Sequence, residues 1–245
     1  MGTSSSYNAP VKGDWTSLKR ELTHLFGEQS EENVKKVVKK FIKALGGTEN
    51  FSRSKQGSSS NNAISSAIGR KTASNLGGFF SGVSKNGLNN TLKENNLSHL
   101  VGKPLDGLIE GLIEYFSHPS NSADHYASSK AGADTLKEIS LSCKTVEEFE
   151  QNNESFGKVS CIFISKYIYR LFLRMFEEDK IKKYGIEETS KIFKMVENYI
   201  NAEVNSYRCE KDFSKVDFNT EEGKGLIQGI LQDILEILEG GNDEN

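Results

Sequence analysis

The core of this protein is predicted by residues 158–182, KVSCIFISKYIYRLFLRMFEEDKIK, which contain the most apolar run of the chain. Apolar side chains recur there with the spacing of a helix that is buried over most of its circumference. They are Ile162, Phe163, Tyr167, Ile168, Leu171, Phe172, Met175 and Phe176. Lys166, Arg170 and Arg174 follow at regular intervals, and we expect them to form one solvent-exposed stripe. Their charges argue against a membrane span.

Helical patterns continue on both sides of this stretch. They predict helices over residues 16–26, 30–45, 63–83, 104–116, 122–140, 186–206 and 219–239, whereas residues 145–150 are a short polar segment. Ser30 and Asn219 are expected to cap two of them. Gly69, Gly77 and Gly78 weaken the helix over 63–83, so we expect another segment to pack closely there or the helix to break. No run alternates as a strand would, and the chain is predicted to be all-α.

The domain organisation follows from composition. Residues 1–15 have small polar side chains and no acid before Asp14, which predicts a flexible N-terminal arm. Residues 16–241 are predicted to form a single irregular multi-helix domain with a Ser-rich loop near 52–62. Residues 242–245 are expected to be a disordered tail.

Charge and cysteine content exclude several classes of protein. The formal net charge of −3 does not suit a generic nucleic-acid binder. Cys143, Cys161 and Cys209 are far apart and odd in number, which favours a reduced, cytoplasmic setting. The N-terminus has neither the basic nor the apolar region of a signal peptide. We therefore expect a cytoplasmic protein without a membrane partner.

Recognisable catalytic motifs are missing from the sequence. It has no P-loop, no dinucleotide fingerprint, no zinc-protease motif, no nucleophile elbow and no paired cysteines. His118, Asp124 and His125 are close in sequence, but they lack a fixed helical spacing and give only a weak indication of a metal site. The residues favour a binding or scaffold protein over an enzyme, with no cofactor and no metal.

A basic segment offers one binding hypothesis. Residues 50–93 contain no Asp or Glu but carry Arg53, Lys55, Arg70 and Lys71. These four cations could bind a phosphate, a nucleic acid or another polyanion, which would make the chain a scaffold. The alternative is an ordinary basic surface that acidic neighbours balance in the fold.

The N-terminal arm offers a second hypothesis. Removal of Met1 is expected because Gly2 is small, and Gly2 then carries the free α-amine. Trp15, the only tryptophan, is expected to anchor the arm where it meets the body. Met1, Gly2 and Ser6 also fit an N-myristoylation pattern. The residues leave three interpretations open: myristoylation, presentation of the amine to a partner enzyme, and an ordinary disordered tail.

Three segments carry a family resemblance. They are the opening MGTSSSYNAP with Trp15 close behind, residues 63–70 (AISSAIGR), and the pattern Leu97-x-x-Leu100-Val101-Gly102-Lys103-Pro104 before an apolar helix. In these segments, and in their order, the chain resembles QatB proteins of the bacterial Qat anti-phage defence system. The resemblance implies a small helical component encoded with an ATPase, a QueC-like protein of the QatC type and a TatD-like nuclease.

The resemblance also implies a role for the arm. The family member is expected to bind the QueC-like protein, and the ATPase and nuclease are further candidate partners. Related enzymes attach a deazapurine to an N-terminal glycine, which makes Gly2 the expected acceptor. Thr3, Ser4, Ser5 and Ser6 would line the enzyme's channel, while Tyr7 and Trp15 would bind outside it. Because a bacterial host lacks myristoylation, this interpretation replaces it.

Overall fold

Eleven α-helices and one short 3-10 helix, Ser98–Leu100, account for most of the computed structural model, which describes residues 13–53, 65–117, 122–151, 156–210 and 221–240. The α-helices are α1 Asp14–Gly27, α2 Glu31–Ala44, α3 Gly47–Arg53, α4 Ala67–Asn86, α5 Leu88–Glu94, α6 Leu105–Phe116, α7 Ala123–Ser140, α8 Val146–Gln151, α9 Phe156–Tyr184, α10 Ile186–Glu210 and α11 Glu221–Glu239. No strand occurs within these ranges, and the all-α prediction is confirmed.

Helix α9 is the centre of the fold. It packs against α4, α7 and α10, and it touches α11 as well. The side chains of Phe163, Ile168, Leu171 and Phe172 are completely buried. The prediction that this stretch supplies the core is therefore confirmed. Burial on nearly every side also explains why the sequence of α9 lacks a clean polar face.

The basic residues of α9 are not the solvent-exposed stripe that their spacing predicts. The ammonium of Lys166 lies 3.0 Å from a carboxylate oxygen of Glu138 on α7 and 3.5 Å from one of Glu197 on α10. The Nε of Arg170 lies 2.6 Å from Asp134 on α7. Two neighbouring helices thus cover the stripe and neutralise it, and only 15% of the Lys166 side chain remains exposed.

Local signals set the helix starts that the sequence predicted best. The Ser30 hydroxyl accepts a hydrogen bond from the Asn33 N–H at 3.2 Å and caps α2. The Ser122 hydroxyl caps α7 in the same way, through the N–H of His125. The predicted cap at Asn219 lies outside the described residues.

Helix α3 corrects the predicted loop near 52–62. Ser52 and Arg53 are its last residues, while the loop from 54 onward lies outside the described residues. The physical reason is tertiary packing, because the Phe51 ring is fully buried beside the Tyr167 ring. The Glu239 carboxylate of α11 also accepts hydrogen bonds from the backbone N–H and the hydroxyl of Thr48 at the start of α3.

None of the described helices combines the length and the apolar character that a membrane span requires.

Candidate functional site

The start of α4 is tied to two other helices by one buried carboxylate. Asp124, on the first turn of α7, is only 5% exposed. Its two carboxylate oxygens accept hydrogen bonds at 3.0 Å from the backbone N–H groups of Ile68 and Gly69 in the first turn of α4. The Tyr167 hydroxyl of α9 donates to Asp124 at 2.8 Å. An acid from a distant part of the chain therefore satisfies amides that a helix start leaves unpaired.

Gly69 explains why a glycine stands at this point of α4. A Cβ built on Gly69 would lie 2.5 Å from Cζ of Tyr167, which is closer than real Cβ atoms come to other atoms. The Tyr167 ring therefore rests directly on the α4 backbone. Close approach, one of the two interpretations of the glycines, holds for Gly69, and α4 runs unbroken through Gly77 and Gly78.

The environment sets the protonation of both side chains. Burial raises the pKa of the Asp124 carboxyl above its ordinary value, although hydrogen bonds from Ile68, Tyr167 and Gly69 oppose the shift. Burial also raises the pKa of Tyr167 well above its ordinary value, and the neighbouring Asp124 adds to this. Tyr167 therefore stays neutral and keeps its role as a hydrogen-bond donor.

We expect Gly69→Ala to destabilise the protein by about 1–3 kcal/mol, because the new methyl group forces the Tyr167 ring or the α4 backbone to move. Gly229→Ala is the matched control on α11, where a Cβ would meet nothing within 4 Å. The control should be neutral or slightly stabilising, because Ala is the better helix former. Equal melting temperatures for both variants would show that this contact is loose.

We expect Asp124→Asn to cost about 1–3 kcal/mol, because its NH2 group would point at a backbone N–H. The cost should also depend on pH. The pKa of the Asp124 carboxyl is higher in the folded than in the unfolded protein. The contribution of Asp124 to the free energy of unfolding is therefore complete below about pH 4, and it is lost as the pH rises through the folded-state pKa. Denaturant unfolding at about pH 5 and about pH 8 should thus give the larger cost at the lower pH. A larger cost at the higher pH would contradict the raised pKa.

The structure describes three of the four predicted anion-binding residues, Arg53, Arg70 and Lys71. Arg53 and Lys71 are exposed, whereas Arg70 donates to Ser66 and to Gln228 of α11. The Ser66 hydroxyl donates to the Phe51 carbonyl, which brings the end of α3 to the start of α4. Lys55 lies outside the described residues.

The basic segment also contains Lys85, near the end of α4. Lys85 is fifteen residues beyond Arg70 on the same helix, or roughly 22 Å away along its axis. The positive charge of the segment therefore extends along α4, beyond the four residues that the sequence singled out.

Of the predicted site residues near the N-terminus, only Trp15 belongs to the part of the chain that the structure describes. Gly2, Thr3, Ser4, Ser5, Ser6 and Tyr7 all lie outside the described residues. Trp15 is described, and it belongs to the first turn of α1 with 4% of its surface exposed. Its ring packs against those of Phe41 and Phe176 at centroid distances of 6.4 and 6.3 Å. We therefore assign Trp15 to the core, where its ring is covered, and no longer to a partner-binding surface.

A polar groove was not predicted from the sequence. It encloses about 400 Å³ between α4, α5 and α6. The residues that line it are Ser74, Asn75, Gly78, Phe79, Gly82, Lys85, Asn86, Thr91, Glu94, Asn95 and Tyr115. Three carboxamides, two hydroxyls from Ser74 and Thr91, and an aromatic wall from Tyr115 make it a hydrogen-bonding surface with little net charge.

The weak indication of a metal site finds no counterpart in the described geometry. His118 lies outside the described residues, and the Asp124 carboxylate is engaged by α4 and Tyr167. Within the described ranges, no three His, Cys, Asp or Glu side chains converge as metal ligands would.

A family model matches most of the chain. The model of a family described as QatB, Qat anti-phage system associated protein QatB, matches residues 57–238. The match spans α4 to most of α11, including the Asp124 cluster and the groove, and it begins after α3. No curated protein and no solved structure matches the chain.

Proposed function

Because the chain belongs to the QatB family of Qat anti-phage system associated proteins, we propose that it acts in that system without catalysis of its own. It binds a QueC-like protein and presents its N-terminal glycine for modification. Family membership makes the chain a component of the Qat anti-phage defence system. The partner and the modification are the proposal's own step, since the arm precedes the matched residues.

The fixed base of the arm is the observation that carries the proposal. Trp15 holds the first turn of α1 in the core, and the Thr16 N–H donates to the Gly13 carbonyl at 3.1 Å. Residues 2–12 therefore start from a rigid point on the body. In extended form they span about 36 Å, which is enough to reach into the active site of a bound enzyme.

The arm has the chemistry of an acceptor. A glycine α-amine has a pKa near 8, so roughly a tenth of it is neutral and nucleophilic near neutral pH. Gly2 has no Cβ to obstruct attack on an activated carbonyl carbon of a deazapurine. In that step the nitrogen–carbon bond forms, the activating group leaves, and the amine loses a proton to the partner enzyme. The small side chains of Thr3 to Ser6 suit a narrow channel.

Intact mass spectrometry of the full chain tests this proposal. The protein is purified after expression alone and after expression with its operon neighbours, and the masses are compared. We expect an added mass only in the second case, located by fragmentation on the peptide that begins with Gly2. An unchanged mass, or an adduct on an internal residue, would overturn the proposal. Omitting the QueC-like protein from the operon is the matched control, and it should abolish the adduct.

A further inference from the structure

The row of basic residues on α9 ends at Arg174, which faces another cation where its neighbours face acids. Lys166 and Arg170 pair with two acids of α7 that are themselves four residues apart, so the two helices run antiparallel in a fixed register. Four residues further along α9 comes Arg174, and four residues further back along α7 comes Lys130. The register therefore sets these two cations opposite each other, at the step that follows the two ion pairs.

The guanidinium of Arg174 lies over the ring of Tyr126, which is one turn before Lys130 on α7. Its Cζ is 5.1 Å from the centre of that ring. This contact covers a face of the guanidinium and not the edge that carries the N–H donors. Because Tyr126 and Lys130 are four residues apart, their side chains share one face of α7. Arg174 therefore lies against the same face of α7 as Lys130.

Arg174 has no hydrogen-bond acceptor in the part of the chain that the structure describes. Its Nε is buried without a partner, and its guanidinium makes no ion pair with a described carboxylate. Glu177 and Glu178 follow one turn later and are exposed, but Glu178 pairs with Lys182 at 2.6 Å and Glu177 makes no described ion pair. Lys130 is exposed and also lacks a partner among the described residues. A buried donor of a charged group is costly without an acceptor, and an external anion toward which the guanidinium turns removes that cost.

We propose that Arg174 and Lys130, with Tyr126 supporting the guanidinium, bind the phosphate group of a small phosphate monoester. Charge distinguishes this ligand from a carboxylate. Arg170 and Asp134 beside the site neutralise each other, which leaves two positive charges, and a phosphate monoester carries about −1.5 to −2 at pH 7. Two neighbouring N–H groups of Arg174 donate to two phosphate oxygens, and the ammonium of Lys130 binds as a point charge. The site goes beyond the proposed function, because it uses neither the N-terminal arm nor a partner protein.

Titration of the full chain with inorganic phosphate tests the site. The arginine Nε–H signals of 15N-labelled protein are followed by NMR at constant ionic strength, and the Arg174 signal is identified by its loss in Arg174→Lys. We expect this signal to shift most and to saturate with one phosphate per chain. AMP should cause the same shift and adenosine none, because only AMP carries the phosphate group. A higher affinity for AMP than for inorganic phosphate would assign the site to organic monoesters, and equal affinities would assign it to the phosphate group alone.

Calorimetry of variants measures what each cation contributes. Arg174→Gln should lower the affinity for phosphate about ten-fold or more, and Lys130→Gln about three-fold. Arg20→Gln is the matched control and should leave the affinity unchanged, because Arg20 is an exposed arginine of α1 whose partner is Glu21. If Arg174→Gln does not fold, Lys130→Gln at its exposed position carries the test. No saturable binding, an equal affinity for acetate, or an affinity unchanged by Lys130→Gln would each overturn the proposal. None of these results depends on whether Gly2 is modified in the operon.

Discussion

Gly2→Pro should abolish protection against phage in cells that carry the complete operon, while the melting temperature of the purified protein stays the same. The proposed reaction uses the primary amine of Gly2, and proline offers only a hindered secondary amine within a ring. Stability should not change, because the described core begins with α1, where Trp15 is already buried. The measurement is a plaque assay paired with thermal unfolding of the same variant.

Several further variants test the role of the Gly2 amine. A non-removable tag ahead of Gly2 should have the effect of Gly2→Pro, whereas the same tag after Asn245 should be harmless. Ser5→Ala and Ser6→Ala should weaken protection less, since each removes only one hydroxyl from an arm whose main-chain contacts remain. Ordering the arm costs about 1–2 kcal/mol per residue, so the partner needs contacts along its length. Full protection against phage by the N-terminally tagged protein would show that the free amine of Gly2 is not needed.

Phe172→Ala should lower the free energy of unfolding by about 3–5 kcal/mol. The Phe172 ring is completely buried on α9, with its centroid 5.4 Å from that of Phe41, 5.0 Å from Phe193 and 5.2 Å from Phe176. Its removal leaves a cavity that three other rings from α2, α9 and α10 border. For a protein of this size the melting temperature should fall by roughly 10 °C.

The matched control for this cavity is Leu141→Ala, which also truncates a large apolar side chain but at an exposed position. It should change the free energy of unfolding by less than about 0.5 kcal/mol. Thermal and urea unfolding of both variants measure the difference. A Phe172→Ala protein that melts with the parent would mean that α9 is not the centre of the core.

The parts of the fold that could be predicted are those whose sequence signals come from residues close together in the chain. Ser30 and the acids after it mark the start of α2, and the spacing of apolar side chains marks α9, because both signals lie within a few turns of helix. Helix α3 could not be predicted, because Phe51 is ordered by Tyr167 and by α11, both far away in the sequence. The spacing of Lys166 and Arg170 indicated one shared face, but α7 and α10 decide what covers it.

The candidate sites show the same limit. Asp124 lies 55 residues from Gly69 and 43 from Tyr167, so the sequence around Asp124 does not indicate its hydrogen-bond partners. The family resemblance included residues 63–70, but it did not indicate that the backbone N–H groups of Ile68 and Gly69 bind the Asp124 carboxylate at the start of α4. The groove joins Asn75 of α4 to Asn95 and Tyr115, which only the packing of three segments brings together. The arm is the converse case, because its composition could be interpreted without any structure.

The hydrogen bonds between the Asp124 carboxylate and the start of α4 have a consequence for folding during synthesis on the ribosome. Helix α4 emerges before α7 supplies the carboxylate and well before α9 supplies Tyr167. Because α9 is also the helix on which α4, α7 and α10 pack, the nascent chain exposes apolar helix faces until more than half of it has been made. Helix pairs that precede α9, such as α1 with α2 and α6 with α7, can pack earlier, but α4 and α7 gain the helix against which both pack only when α9 leaves the exit tunnel.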